Sequence, residues 1–295
     1  QQNVSADEYD YATIGSGGFY RFMAETLKGH IVYGAVPEEV HQSRITLDGE
    51  TLVATKVFSS VPEKQKIKGG LWQKFYGWRV KTANPVFDPE KAVVMDFFCR
   101  QPGGAFGFYY VLPFSQHEAL IEPTVFSRTG DEEKPYFEAA RDAYLQNINA
   151  GEVRILDTEA ATLPMAVLPS VHADVARPTP IGAAAGWLRP STGYSFVTAV
   201  KLTEQIALSP TLNPPRPYSR PLLAMDDIFL TVARRHPERM PALFANWFAA
   251  PAQGGFIRFL QNENLTITDA LRVIRCTPYK AAFLRAALTK PWRER

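Results

Sequence analysis

The sequence predicts an α+β fold in which a long-stranded antiparallel sheet is followed by a helical carboxy-terminal region. Residues 71–82, 92–100, 107–112 and 117–127 read as β segments, long and rich in aromatics. The turns Phe87-Asp88-Pro89 and Pro102-Gly103-Gly104 separate them. From Arg220 the spacing becomes helical, with breaks at Pro237, Pro241, Pro251 and Pro278. A chain of 295 residues that is 46% hydrophobic and 12% aromatic has the material for a large core in one or two domains.

Near the amino end, Ile14-Gly15-Ser16-Gly17-Gly18 follows Tyr9-Asp10-Tyr11 much as a dinucleotide-binding loop follows a strand. Such a loop needs a third glycine where helix and strand close up, and that position is Tyr20. Phe19, Phe22, Met23 and Leu27 recur at helical spacing, so the segment reads as a capped amphipathic helix. Residues 31–36, 41–47 and 51–59 follow as a β-meander around the turn dipeptide Asp48-Gly49, and 62–70 is a charged loop. After the long strands, 136–150 reads as a helix. Val153-Arg154-Ile155-Leu156 then leads to Leu163-Pro164-Met165, an edge strand ended by proline. A loop rich in glycine and alanine occupies 180–195, and 196–206 is helical.

The formal net charge of +2 with 21% charged residues gives no field that points to nucleic acid. Basic residues gather late, with Arg234, Arg235, Arg239, Arg258, Arg272, Arg275 and Arg285 spread among Trp247, Phe248, Phe256 and Phe259. Two readings stand for that region, a solvated helical surface, which is preferred, and a contact with an anionic membrane. Cys99 and Cys276 lie far apart in apolar surroundings, which fits a reducing compartment. Apolar stretches are cut within a dozen residues by charge or proline, so none is expected to span a bilayer. The chain begins with Gln1, and an incomplete or trimmed polypeptide is expected.

Several segments together resemble the lycopene cyclase family of bacteria, which is related to the plant cyclases. They are Tyr11-Ala12-Thr13-Ile14-Gly15-Ser16 with Phe19, then Gln73-Lys74-Phe75-Tyr76-Gly77-Trp78, and Phe87-Asp88-Pro89 before Met95-Asp96-Phe97. Next come Tyr109-Tyr110-Val111-Leu112-Pro113-Phe114-Ser115, Leu120-Ile121-Glu122-Pro123-Thr124, the loop 186–195, and a tail with Phe259, Leu265-Thr266 and Asp269-Ala270-Leu271-Arg272 before Pro278. The resemblance implies a flavoprotein hydroxylase-like substrate domain. Residues 1–60 would be the residual part of an FAD-binding domain whose first βαβ unit is absent, and 61–170 the antiparallel-sheet substrate domain. Residues 171–210 would form a flavin-facing loop and helix, and 211–295 a helical cap. The sequence departs from the family at Arg189, where His is common, and at Pro123, where the plant branch has a second Glu.

The resemblance also implies an activity: closure of the end groups of lycopene, or of another acyclic carotenoid, into β-rings without net redox change. Reduced FAD would be the cofactor and NAD(P)H its reductant, in a bacterial cytoplasmic protein held peripherally at the inner membrane. Such chemistry needs a proton for a terminal alkene, a dry site, and a base to take a different proton after ring closure. A carboxylic acid kept neutral by burial suits it. Glu122, with Leu120, Thr124 and Phe126 on its strand face, is the residue matching the family's catalytic acid or base; from residue type alone an outward-facing glutamate is the commoner fate. Asp96 is the second candidate catalytic carboxylate, with a structural pairing to backbone, Arg79 or Arg100 as its equal alternative. His117 and His172 read as loop histidines. Small residues admit a planar ring and helix amino termini favour anions, so Gly182, Gly186, Pro190, Thr192, Gly193 and Tyr194 are the expected flavin-side residues, with 192–194 opening a helix. Trp72, Phe75, Tyr76, Trp78, Phe97, Phe98, Phe106, Phe108, Tyr109 and Tyr110 are expected mostly as core, with π faces for a cation as their other use. Two rivals remain, a non-catalytic carotenoid- or lipid-binding fragment and a flavin monooxygenase of aromatic substrates.

Overall fold

The computed structural model describes residues 12–61, 69–97, 99, 101–167, 177–209, 216–249, 253–262 and 265–289. Tyr9, Asp10 and Tyr11, most of the charged loop, Phe98, Arg100, His172 and Pro251 lie outside them. Helix α1, Ser16–Thr26, starts after Gly15 without a side-chain cap and buries none of its residues. Its apolar stripe therefore lies largely open, although the Phe19 ring meets Phe196 edge-on at 6.2 Å.

Strands β1 (Glu39–Val40), β2 (Arg44–Leu47) and β3 (Glu50–Val53) form a small antiparallel meander. Its hairpin turns at Asp48-Gly49, both with positive φ (50° and 77°), as a two-residue hairpin loop favours. The meander begins later than expected. Residues 31–36 form no strand, because Gly34 turns the chain at φ 69°. The expected strand 51–59 is also divided: β3 stops at Val53, and β4 (Phe58–Ser59) pairs in parallel with β10 (Thr179–Pro180). Amides of Thr179 and Ile181 donate to the carbonyls of Val57 and Ser59, which fastens the loop 180–195 to the amino-terminal segment.

The main sheet has five strands: β5 (Leu71–Thr82), β6 (Val93–Asp96), β7 (Phe106–Ser115), β8 (Glu118–Ser127) and β9 (Val153–Met165). All are antiparallel, in the order β6-β7-β8-β5-β9, so β9 is the edge the sequence led one to expect. Strand β6 is shorter than the expected 92–100, and its register slips between Val93 and Asp96.

Each face of this sheet has its own apolar layer. Helix α2, Lys134–Asn147, drives Phe137 and Leu145 against Trp78, Val80, Tyr109, Val111, Ile121 and Val125. The carboxy-terminal helices cover the other face, where Phe106, Phe108, Phe126 and Met165 join Leu230, Met240, Leu243 and Trp247. Most of the strand aromatics are thus core, as at Trp78, Phe106, Phe108 and Tyr109. Those helices are α3 (Phe196–Leu208), α4 (Arg220–Arg235), α5 (Met240–Phe248), α6 (Gln253–Gln261), α7 (Ile267–Cys276) and α8 (Lys280–Thr289). Pro237 and Pro278 separate helices as expected, whereas Pro241 sits in the first turn of α5, where its missing amide costs no bond.

Candidate active site

The site is built from one row of residues across the sheet. Register places Tyr110 of β7 opposite Glu122 of β8, and Gly77 of β5 opposite Glu159 of β9. The pairs Phe75 with Thr124 and Trp78 with Ile121 bring Gly77 beside Glu122. The row therefore reads Tyr110, Glu122, Gly77, Glu159, and by strand periodicity all its side chains leave the face covered by the carboxy-terminal helices. Gly77 is buried and supplies no side chain between the two acids. A Cβ there would lie 2.8 Å from Glu159 Cγ and 3.0 Å from its Oε1, so the glutamate crosses over the glycine towards Glu122. A glycine inside a strand often marks such a close approach.

Glu122 is an acid held in its neutral form. Its carboxyl keeps some contact with solvent, but surrounding protein displaces most of its water, and this burial is the largest cause raising its pKa from 4.5 to about 8. The charge of Glu159 and a hydrogen bond with it add to the rise, and the Thr124 hydroxyl, which donates to Glu122 Oε1 at 3.3 Å, opposes it. Leu120 and Thr124 flank it on the strand, and Tyr110 stands across from it, on a partly open surface. The outward-facing, fully solvated placement is not the one adopted.

Asp96 is not brought to this acid. It pairs with Tyr109, and its charge acts on Cys99, Tyr109 and Tyr144, which places it on the α2 face of the sheet, behind Glu122. The register slip in β6 causes this, since one extra residue reverses which face a side chain takes. Arg79 pairs with Glu118 at 2.6 Å rather than with Asp96. His117 has a structural bond, its Nδ1 lying 3.0 Å from the Thr82 carbonyl oxygen.

The loop 182–195 reaches the same face as Glu122. Gly182, Gly186 and Gly193 all have positive φ (55°, 68° and 72°), which only glycine adopts without strain. The amides of Thr192 and Gly193 both donate to the Arg189 carbonyl, and Arg189 N donates back to the Tyr194 carbonyl, closing a tight turn behind the buried Pro190. A Cβ on Gly193 would lie 3.1 Å from Gln73 Oε1 and 3.3 Å from Leu163 Cδ1, so this turn rests on β5 and β9. Tyr194 is 37% exposed overall, yet its hydroxyl turns inward to a hydrogen bond with Tyr110, and burial raises its pKa. The Thr-Gly-Tyr turn and the Glu122 row thus meet through two tyrosines. Helix α3 opens just beyond them, at Phe196 after Ser195, with no side chain capping its first amides.

Two features of this loop fit a planar, hydrogen-bonding ring such as a flavin. A Cβ on Gly186 would meet nothing within 4 Å, which leaves room beside the backbone. Gln73 Oε1, beside the Gly193 turn, is buried and accepts no hydrogen bond, an unfilled capacity that a ring N–H would satisfy.

Two partners were not found from sequence. Arg189 is 1% exposed and grips Asp226 of α4 through Nε and Nη2 at 3.2 and 3.0 Å, while Ser191 Oγ donates to the same carboxylate at 2.7 Å. Asp226 interrupts the apolar spacing Leu222, Asp226, Phe229, Leu230, and a lone acid on a helix's core face is the signal for a buried partner. Glu159 sits in the middle of β9, between the two pieces that the sequence pattern marks as strand; the glycine at position 77 was its only trace.

The lycopene cyclase protein family model matches residues 4–287. The chain belongs to that family. Two relatives carry the name lycopene beta-cyclase. That from Paracoccus sp. (strain N81106 / MBIC 01143) is 31% identical over 231 residues, 70% of this chain and 56% of the relative. That from Pseudescherichia vulneris is 27% identical over 211 residues, 69% and 53% of the respective lengths. The chain thus spans about half the length of these lycopene cyclases. Among solved structures, a geranylgeranyl bacteriochlorophyll reductase-like protein of Thermoplasma acidophilum aligns at TM-score 0.45 and 13% identity, covering 86% of this chain and 67% of that one. A flavin-dependent monooxygenase, PieE, in complex with FAD and substrate, aligns at TM-score 0.35 and 14% identity over 86% of this chain and 48% of that one.

Proposed function

We propose that this chain carries the substrate-cyclising part of a lycopene β-cyclase, with Glu122 as the acid that protonates the end double bond of lycopene or a similar acyclic carotenoid. The observation that supports this reading above the others is a largely buried carboxyl whose pKa is raised to about 8, on the sheet face that the glycine-rich turn also reaches. Such a group carries its proton at neutral pH and releases it only to a base or to an alkene made reactive by position. Ring closure by the neighbouring alkene and loss of a different proton complete the reaction without a change in oxidation state.

FAD is the proposed cofactor, reduced with NAD(P)H; when bound it would supply electron density that stabilises the developing cation. Gly182, Gly186, Pro190, Thr192, Gly193 and Tyr194, with the orphaned Gln73 oxygen, are the residues of this chain that would hold it. Tyr110, opposite Glu122 in the sheet, and Tyr194, hydrogen-bonded to Tyr110, would line the site between acid and cofactor.

The proposed setting is the bacterial inner membrane surface, where an oily polyene resides. Among the described residues no helix is long and apolar enough to cross a membrane. Helix α7, however, shows Ile267, Leu271 and Ile274 outward, 81, 59 and 52% exposed, at spacing that makes one stripe, and α8 shows Leu284 and Leu288 at 62 and 77%. Arg275, Lys280 and Arg285 stand exposed among them, which is the composition of a surface that rests on anionic lipid.

The test is expression of the full-length protein in a lycopene-accumulating host, with products separated and weighed. A ring-containing product of unchanged mass is expected, lost on Glu122→Gln with flavin content retained. Oxygen uptake with a hydroxylated product would point to a monooxygenase, and lycopene retained unchanged by the unaltered protein would point to a binding module; either sinks the proposal.

A further inference from the structure

Glu159 is not accounted for by that reading. It lies on the edge strand, more open to solvent than Glu122, and its side chain lies across the bare backbone of Gly77. The two acids share a side-chain hydrogen bond, and the Glu159 charge adds to burial in raising the pKa of Glu122. The partner of Glu122 is therefore an acid two strands away on the same face, and not Asp96, which the sheet separates from it.

We propose that Glu159 is the positioning partner of Glu122: across Gly77 it holds the shared proton on the inner carboxyl and links that carboxyl to solvent. This deepens the cyclase reading and rests on it. The proton account balances. Glu122 Oε gives its proton to a terminal alkene carbon, forming a C–H bond from the π pair, and the pair of acids then carries one more negative charge. A second alkene closes the ring by a new C–C bond. A C–H bond beside the cation then breaks, its electrons become the ring double bond, and that proton returns to the carboxylate pair. No electron is gained or lost, and the two acids end as they began.

A merely structural Glu159 and a proton-holding one differ in their effect on pH dependence. With Glu159 in place, the cyclising form persists until Glu122 ionises near pH 8. Glu159→Gln removes the neighbouring charge, Glu122 ionises more easily, and the alkaline limb of kcat should move down by on the order of one pH unit. Glu159→Asp keeps the charge and should restore part of that shift. The variants are measured in the full-length flavoprotein, with folding checked by flavin content and circular dichroism. An alkaline limb of Glu159→Gln that overlays the parent overturns the inference. Glu122→Gln, run alongside, separates the two ideas: its retained activity defeats Glu122 as the proton donor, whereas its inactivity with an unmoved Glu159→Gln profile defeats only the role of Glu159.

Discussion

Replacing Glu122 with Gln keeps shape and bonding while removing the exchangeable proton, so a loss of about 10²–10⁴-fold in cyclisation rate is expected for a general acid. Its effect on stability has a definite sign. The folded carboxyl has its pKa raised from 4.5 to about 8, so the fold binds this proton more tightly than the unfolded chain does. The contribution to stability is complete below pH 4.5 and is lost as pH rises towards 8. Glu122→Gln should flatten that decline in a urea titration series, and a parent whose stability climbs over the same interval through this residue would contradict the burial of its acid. Gly77 offers an independent probe. Alanine there would place its Cβ 2.8 Å from Glu159 Cγ and 3.0 Å from Leu120 Cδ1, so the flexible glutamate must swing away. Gly77→Ala should therefore lower the alkaline limb in the same direction as Glu159→Gln, with little added effect in the double variant.

At the scale of elements, the glycine-rich loop is tied to the helical cap by a buried ion pair. Arg189 and Asp226 are each about 1% exposed, and the guanidinium also lies over the Phe259 ring at 4.6 Å. Asp226→Ala leaves that cation unpaired in a dry place, a change that costs about 3–5 kcal/mol, whereas replacing both partners by apolar residues should cost much less. Chemical denaturation of the single and double variants measures the difference; equal losses would mean the pair does not act as a unit. Flavin content should fall in Asp226→Ala as well, because the turn that presents Gly193 and Tyr194 hangs from Arg189. Helix α7 makes a separate prediction. Its inner side is fixed by a capping box between Thr266 and Asp269 and by Arg258 on Asp269, so the exposed Ile267, Leu271 and Ile274 can be altered without unseating it. Leu271→Ser with Ile274→Ser should abolish cosedimentation with phosphatidylglycerol vesicles, and raised salt should weaken binding of the parent. Vesicle binding that survives the double change would remove α7 from the membrane contact.

For the whole molecule, what the sequence made legible was governed by period. The long strands β5, β7 and β8 and helices α2 and α3 declared themselves because the strands are aromatic-rich runs set off by turn residues and the helices carry apolar residues at helical spacing. The face taken by Asp96 was not legible because a bulge changes face without any mark in the sequence, and Glu159 stayed hidden because it faces a partner two strands away rather than a neighbour in sequence. Arg189 drew notice as a departure from the family, but its meaning needed Asp226, 37 residues on. The same long-range logic governs stability. Strand β8 is buried almost throughout, giving Phe126 to the layer under the carboxy-terminal helices and Ile121 and Val125 to the layer under α2. A sheet clothed on both faces binds its two layers into one cooperative body. Phe137→Ala in α2 and Leu243→Ala in α5, both wholly buried, should cost about 3–5 and 2–5 kcal/mol respectively. Although these side chains lie on opposite faces, each change should speed amide hydrogen exchange in the same strands, β5 and β8. Faster exchange confined to α2 in one variant and to α5 in the other would mean that the layers open separately, and that the sheet does not transmit packing from the cap to the acid row.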